Sequence, residues 1–146
     1  MRVVVDANIL YSALLNTNSE IAKLIFKTNK RLNFYSTNLL IEEIHEHSDK
    51  LLKATGYTKS EFKMLLSFLE KRIRIVDVRL IPKKYIKSAI NLLLDIDVEY
   101  VALTDHIKGK LLTGDKILIK GLQRKGWDKF ISTREIKMLT NNKRKR

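Results

Sequence analysis

The sequence predicts an α/β fold built on a mostly parallel sheet, and three observations carry that prediction. Short β-branched or apolar runs alternate with amphipathic helical stretches along the chain. The first run, Arg2 to Val5, is apolar without alternation, as in a strand covered on both faces. Acidic residues recur just beyond the carboxyl ends of the strand-like runs, where open parallel sheets gather their ligands.

The elements follow in order. Arg2 to Val5 is the first strand, broken by Asp6-Ala7-Asn8, and Ile9 to Leu15 starts a helix. Glu20 to Thr28 carries Ile21, Leu24 and Ile25 at helical spacing. Leu32 to Ser36 is the second strand. Thr37 then suits an N-cap, and Asn38 to Lys53 forms a helix presenting Leu40, Ile41, Ile44 and Leu51, closed by Gly56. Thr58 and Glu61 have the spacing of a capping box, followed by an apolar stripe of Phe62, Leu65, Leu66 and Leu69. Ile73 to Val78 alternates as a third strand. Pro82 suits the first turn of a helix over Lys83 to Leu94. Asp97 opens a helix to Ile107 with Tyr100, Val101 and Leu103 facing inward. Lys110 to Thr113 is a short fourth strand, Gly114-Asp115 a turn, and Lys116 to Lys125 a helix. Lys129 to Ser132 is read as a fifth strand, and Thr133 starts the last helix. Residues 1–140 are expected to form one domain, and 141–146 a frayed basic tail.

Composition narrows the function. The chain has 146 residues, 45% of them hydrophobic, enough for one good core. With no cysteine there are no disulfides and no thiolate metal sites, and a reducing compartment is the natural expectation. Asp6 and Asn8 interrupt the first apolar run before a signal sequence can form. No stretch reaches the roughly 18 apolar residues of a membrane span. A cytoplasmic protein with no membrane partner is therefore expected. Lys and Arg total 29 against 16 Asp and Glu, a net charge of +13. Such an excess attracts polyanions, nucleic acid first among them.

The acids converge in the predicted topology. Asp6 follows the first strand and Asp115 the fourth. Glu42 and Glu43 lie in the first turns of the helix after the second strand, and Asp97 opens the helix that feeds the fourth. Taken singly, each has an ordinary role as cap, turn residue or solvated charge. Taken together, carboxylates crowded into one crevice repel, and a divalent cation would relieve the repulsion. Ligands that are all oxygen favour Mg²⁺ or Mn²⁺, ions that assist in-line phosphodiester displacement.

Four segments resemble the motifs of the PIN-domain ribonucleases, in the family's order. Val3-Val4-Val5-Asp6-Ala7-Asn8-Ile9-Leu10 is similar to the first, an aliphatic strand ending in Asp-x-Asn or Asp-x-Ser. Thr37 to Ile44 resembles the second, where a small hydroxyl residue precedes an acid by six positions; that register selects Glu43, and counting from Ser36 selects Glu42. Asp97-Val98-Glu99-Tyr100-Val101-Ala102-Leu103 looks like the third, and Leu111-Leu112-Thr113-Gly114-Asp115-Lys116 like the fourth. The ending Phe130 to Glu135 resembles the family's last strand and helix. The resemblance implies a three-layer α/β/α sandwich, five-stranded on the assignment above. It implies hydrolysis of RNA with Mg²⁺ or Mn²⁺, usually as the toxin half of a toxin–antitoxin pair, with an antitoxin protein and often a homodimer as partners. Asp6, Glu43, Asp97 and Asp115 map onto the catalytic, metal-holding acids, and Asn8 and Thr113 onto supporting polar positions. Many relatives carry a further acid where this chain has Ile117, which puts a second metal in question.

Several neighbours carry ordinary expectations. Glu43 and His47 are four apart and read as a solvated pair, and Trp127 as a packed residue. Arg72, Arg74 and Arg79 form either a phosphate-binding strip or a solvated strand edge. No P-loop, dinucleotide or serine-hydrolase motif occurs, and no Cys/His set supports zinc. Three readings stand: a PIN-type ribonuclease, an inactive PIN-fold RNA-binding or interaction module, and an adaptor whose acids are only caps and turns.

Overall fold

The computed structural model describes residues 1–27, 31–92 and 97–142. Four parallel strands, β1 (Arg2–Val5), β2 (Asn33–Thr37), β3 (Ile73–Val76) and β4 (Lys110–Leu112), lie in the order β3-β2-β1-β4. β1 is central, and its Val3, Val4 and Val5 are fully buried, which explains the unalternated run. Val3 and Val5 face one core, and Val4 faces another. The first is filled from α1 (Ala7–Leu15), α2 (Glu20–Phe26), α3 (Asn38–Glu46), α4 (Ser48–Thr55), α5 (Lys59–Arg72) and α9 (Thr133–Asn142). The second is filled from α6 (Lys83–Leu92), α7 (Val98–Ile107) and α8 (Lys116–Arg124), with Trp127. The chain is thus an α/β fold with helices on both faces of a parallel sheet.

The local chemistry follows the sequence in most places. Thr58 and Glu61 form the expected capping box of α5. Gly56 ends α4 in the left-handed region at φ 74°, which a glycine adopts without a Cβ clash. Thr37 occupies the N-cap position of α3, yet its hydroxyl makes no capping bond.

Three expectations are corrected. The fifth strand, Lys129 to Ser132, is reduced to one parallel bridge between Leu111 and Phe130, so the sheet has four strands among the described residues. Two hydrogen bonds hold that bridge, Leu111 N–H to Lys129 O at 2.7 Å and Ile131 N–H to Leu111 O at 3.0 Å. β4 spans only three residues, and Ser132 is already engaged with Glu135 at the start of α9, so the pairing cannot lengthen. The single helix expected over Asn38 to Lys53 breaks at His47, whose ψ of 14° ends α3 and precedes α4. The third strand stops at Val76, because the Asp77 carboxylate accepts from Arg79 N–H and nucleates a 3-10 turn over Val78–Leu80. The proposed helix ends at Thr28 and Leu94, and tail residues 143–146, lie outside the described residues. No helix among the described residues is long and apolar enough to cross a membrane.

Candidate active site

Strand pairing brings two of the acids together. β1 and β4 pair with Val5 opposite Leu112, so Asp6 and the Thr113-Gly114-Asp115 turn emerge side by side. Asp6 is only 3% exposed, and its Oδ1 accepts from Ile9 N–H at 2.9 Å, capping α1. Asp115 Oδ1 accepts from Ile117 N–H and Leu118 N–H, both at 3.0 Å, capping α8. Asp115 N–H in turn donates to Thr113 Oγ1 at 3.2 Å. The ordinary cap reading is therefore true of both residues, and it leaves each a second carboxylate oxygen. Their helix N-termini add positive potential at the same edge of the sheet.

The two carboxylates also repel. Burial pushes Asp6 above the usual carboxylate range, and the Asp115 charge pushes it further. The Thr113 hydroxyl and the Ile9 and Asn8 amides pull the other way. Thr113, 9% exposed, thus sits between the two acids, as a supporting residue should. The Asn8 side chain is exposed.

Glu43, on α3, is half-buried, whereas Glu42 is exposed. Burial raises the Glu43 pKa; His47 opposes the rise, and the charges of Glu46, Asp6 and Glu99 add to it. Glu43 therefore shares a field with Asp6, which makes it the better candidate of the adjacent pair. His47 is exposed and lies edge-on to the Tyr11 ring, 6.0 Å between centroids.

Asp97 sits at the N-cap of α7 and makes no capping bond with its side chain. One turn on, Tyr100 is 3% exposed. Burial first, then the charges of Glu43, Asp6 and Asp97, hold its phenol far above the ordinary range. One hydroxyl thus lies within the field of three acids carried on three different elements. Thr37, wholly buried, lies near enough to Tyr100 to favour its charged form, without a hydrogen bond of normal geometry.

Buried polar atoms without partners gather in the same place. Among the described residues these include Tyr11 Oη, Thr37 Oγ1, Glu99 Oε2 and Tyr100 Oη. Tyr11, Tyr100 and Glu99 each interact electrostatically with Glu43, and Thr37 lies beside Tyr100. Burial, with Glu43 and Glu46, pushes the Tyr11 phenol up to about 12. Most buried polar groups in native proteins are partnered, so such a cluster beside several acids marks a place adapted to a polar guest. The donors are all oxygen, as a hard divalent cation and its waters require. Among the described residues no three His, Cys, Asp or Glu side chains lie close enough to hold a metal ion. The arrangement therefore fits an open Mg²⁺-type site, which takes one or two carboxylates and completes its shell with water and phosphate, better than a closed protein cage.

Glu99, Tyr11 and the Tyr100 hydroxyl were not among the residues that sequence reasoning picked for the site. The available signal was an acid inside the otherwise apolar stretch Val98 to Leu103, which is buried apart from Glu99 itself. Other polar residues are engaged elsewhere. Asp105 accepts from Trp127 Nε1 at 3.0 Å and pairs with Lys129, and Trp127 packs at 7% exposure. Arg79 pairs with Asp77, Arg74 lies over Tyr35, and Arg72 lies over Phe68. Ile117 is 86% exposed.

Comparison with known proteins agrees with this geometry. The family model of the PIN domain matches residues 4–139. No curated protein matches the chain. PIN domains are generally nucleases, commonly bind RNA and typically use divalent metals. With the match running from β1 through α9, the chain belongs to the PIN-domain family.

Proposed function

We propose that this protein is a metal-dependent endoribonuclease that hydrolyses RNA phosphodiester bonds with Mg²⁺ or Mn²⁺, as the toxin of a toxin–antitoxin pair. The observation that carries the reading is the shared electrostatic field of Asp6, Glu43, Asp97 and Asp115 at one edge of the sheet, with Tyr100 facing three of them. The net charge of +13 matches a polyanionic substrate. The toxin role rests on the order of the four motifs, and an antitoxin and a second copy of the chain are its expected partners.

Each residue has work in this reading. Asp6, Asp97 and Asp115 would hold the ion, and Glu43 would hold it or orient the attacking water. A bound divalent cation supplies charge neutralisation and a more acidic water for in-line displacement. Thr113, between Asp6 and Asp115, fixes the orientation of both carboxylates. The caps on α1 and α8 set the two acids on rigid helix starts. The buried floor of Val5, Tyr100 and Thr37 keeps bulk water from one side of the site.

Thermal melting with and without Mn²⁺ tests the reading without a known substrate. Removing one of several repelling carboxylates raises stability in the metal-free protein, so Asp97→Asn should melt higher than wild type without metal. Mn²⁺ should then stabilise wild type clearly more than the variant. If Mn²⁺ stabilises neither and the variant melts lower, the acids are caps and turns. Ile117 supports a second reading, an inactive RNA-binding module; RNA affinity without metal-dependent cleavage would favour it.

A further inference from the structure

Glu99 is the feature that the site's description leaves unexplained. It lies in the first turn of α7, where an acid ordinarily complements the helix dipole while solvated. Here its Oε2 is buried and has no hydrogen-bond partner. Its nearest recorded influence is on Glu43, a like charge, which is the opposite of a stabilising contact. A carboxylate oxygen withdrawn from water beside a second acid is costly unless something positive joins them. Two more unpartnered hydroxyls face the same place: Tyr100 at 3% exposure and Thr37 at 0%. Glu43 is the common member, reached by Asp6 on one side and Glu99 on the other.

We propose that Glu99 and Glu43 hold a second divalent cation, with the hydroxyls of Tyr100 and Thr37 bonded to its waters, and that Glu43 bridges this ion and the one held by Asp6 and Asp115. The position differs from the place at residue 117, where Ile117 points into solvent at 86% exposure and cannot contribute a ligand. Two carboxylates with water and substrate phosphate are enough for an ion of the Mg²⁺ type. A pair of ions flanking one bridging carboxylate would neutralise both sides of a phosphodiester. The inference rests on the metal-nuclease reading and adds a residue and an ion to it.

The test is a calorimetric titration of the full chain with Mn²⁺, without RNA, on wild type, Glu99→Gln, Tyr100→Phe and Asp6→Asn. Wild type should bind two ions. Glu99→Gln should bind one, or bind its second at least tenfold more weakly, with an unchanged or higher metal-free melting temperature. Tyr100→Phe removes only a hydroxyl and should weaken the same ion, so it reads the site even if Glu99→Gln fails to fold. Asp6→Asn should weaken the other ion more strongly. One ion in wild type, or two equally tight ions in both Glu99→Gln and Tyr100→Phe, overturns the second site and leaves the nuclease reading standing. No Mn²⁺ bound to wild type overturns both.

Discussion

Asp6 holds two roles whose physical demands differ. As the cap of α1 it needs an oxygen for Ile9 N–H; as a site acid it needs a charge. Asn keeps the first and loses the second, since Asn and Asp cap comparably. Asp6→Asn is therefore expected to fold, to melt higher than wild type without metal, and to lose cleavage by about two to three orders of magnitude. The pH dependence follows from the same burial. Asp6 and Glu43 have folded pKa values raised above their ordinary ones, so the folded protein binds protons more tightly than the unfolded chain. Their contribution is greatest below the ordinary carboxylate range and is lost as pH rises through the raised values. Metal-free melting followed from acid towards neutral pH should show this loss, and Asp6→Asn should reduce it. At this scale the sequence revealed Asp6 and Asp115 because strand ends expose them. It left Glu42 and Glu43 open on register, and burial together with the field of Asp6 favours Glu43. Glu99 was passed over because a motif reads the positions it names, and unpartnered burial is visible only in three dimensions.

The elements place these residues, so an element can be broken without touching an acid. Gly109 precedes β4, and a Cβ there would meet the backbone Arg2 O of β1 at 2.6 Å. Neither backbone can yield without opening the β1–β4 ladder. Gly109→Ala is expected to cost about 1–3 kcal/mol and to lower cleavage by moving Asp115 away from Asp6. A melt and a cleavage assay on the same sample check it; unchanged activity would mean that the ladder does not set the site. Thr58→Ala supplies the contrast. It removes the capping box of α5, far from the acids in the chain, and should cost about 1 kcal/mol with cleavage unchanged. The capping box, the Gly56 stop and the central strand were all legible, since each has local chemistry. The break at His47 and the reduction of the fifth strand were not. They depend on tertiary packing and on the three-residue length of β4, which no local pattern records.

At the scale of the molecule, the layered arrangement was legible because hydrophobic period and charge act over the whole chain. The unalternated first strand required cover on both faces, and two cores provide it. The net charge of +13 predicts RNA binding governed by counterion release. Affinity for a short single-stranded RNA should fall by about tenfold or more between roughly 50 and 200 mM salt. Asp6→Asn and Asp97→Asn should bind RNA at least as tightly as wild type, since each removes a negative charge. Salt-independent binding would argue against phosphate recognition.

Cleavage of single-stranded RNA tests the central claim most directly, with wild type and Asp97→Asn each assayed in Mg²⁺, in Mn²⁺ and in excess chelator. The account predicts internal cleavage by wild type with either ion, none in chelator, and a loss of about two to three orders of magnitude in the variant. Cleavage that persists in chelator, or that survives in Asp97→Asn at the wild-type rate, would contradict it.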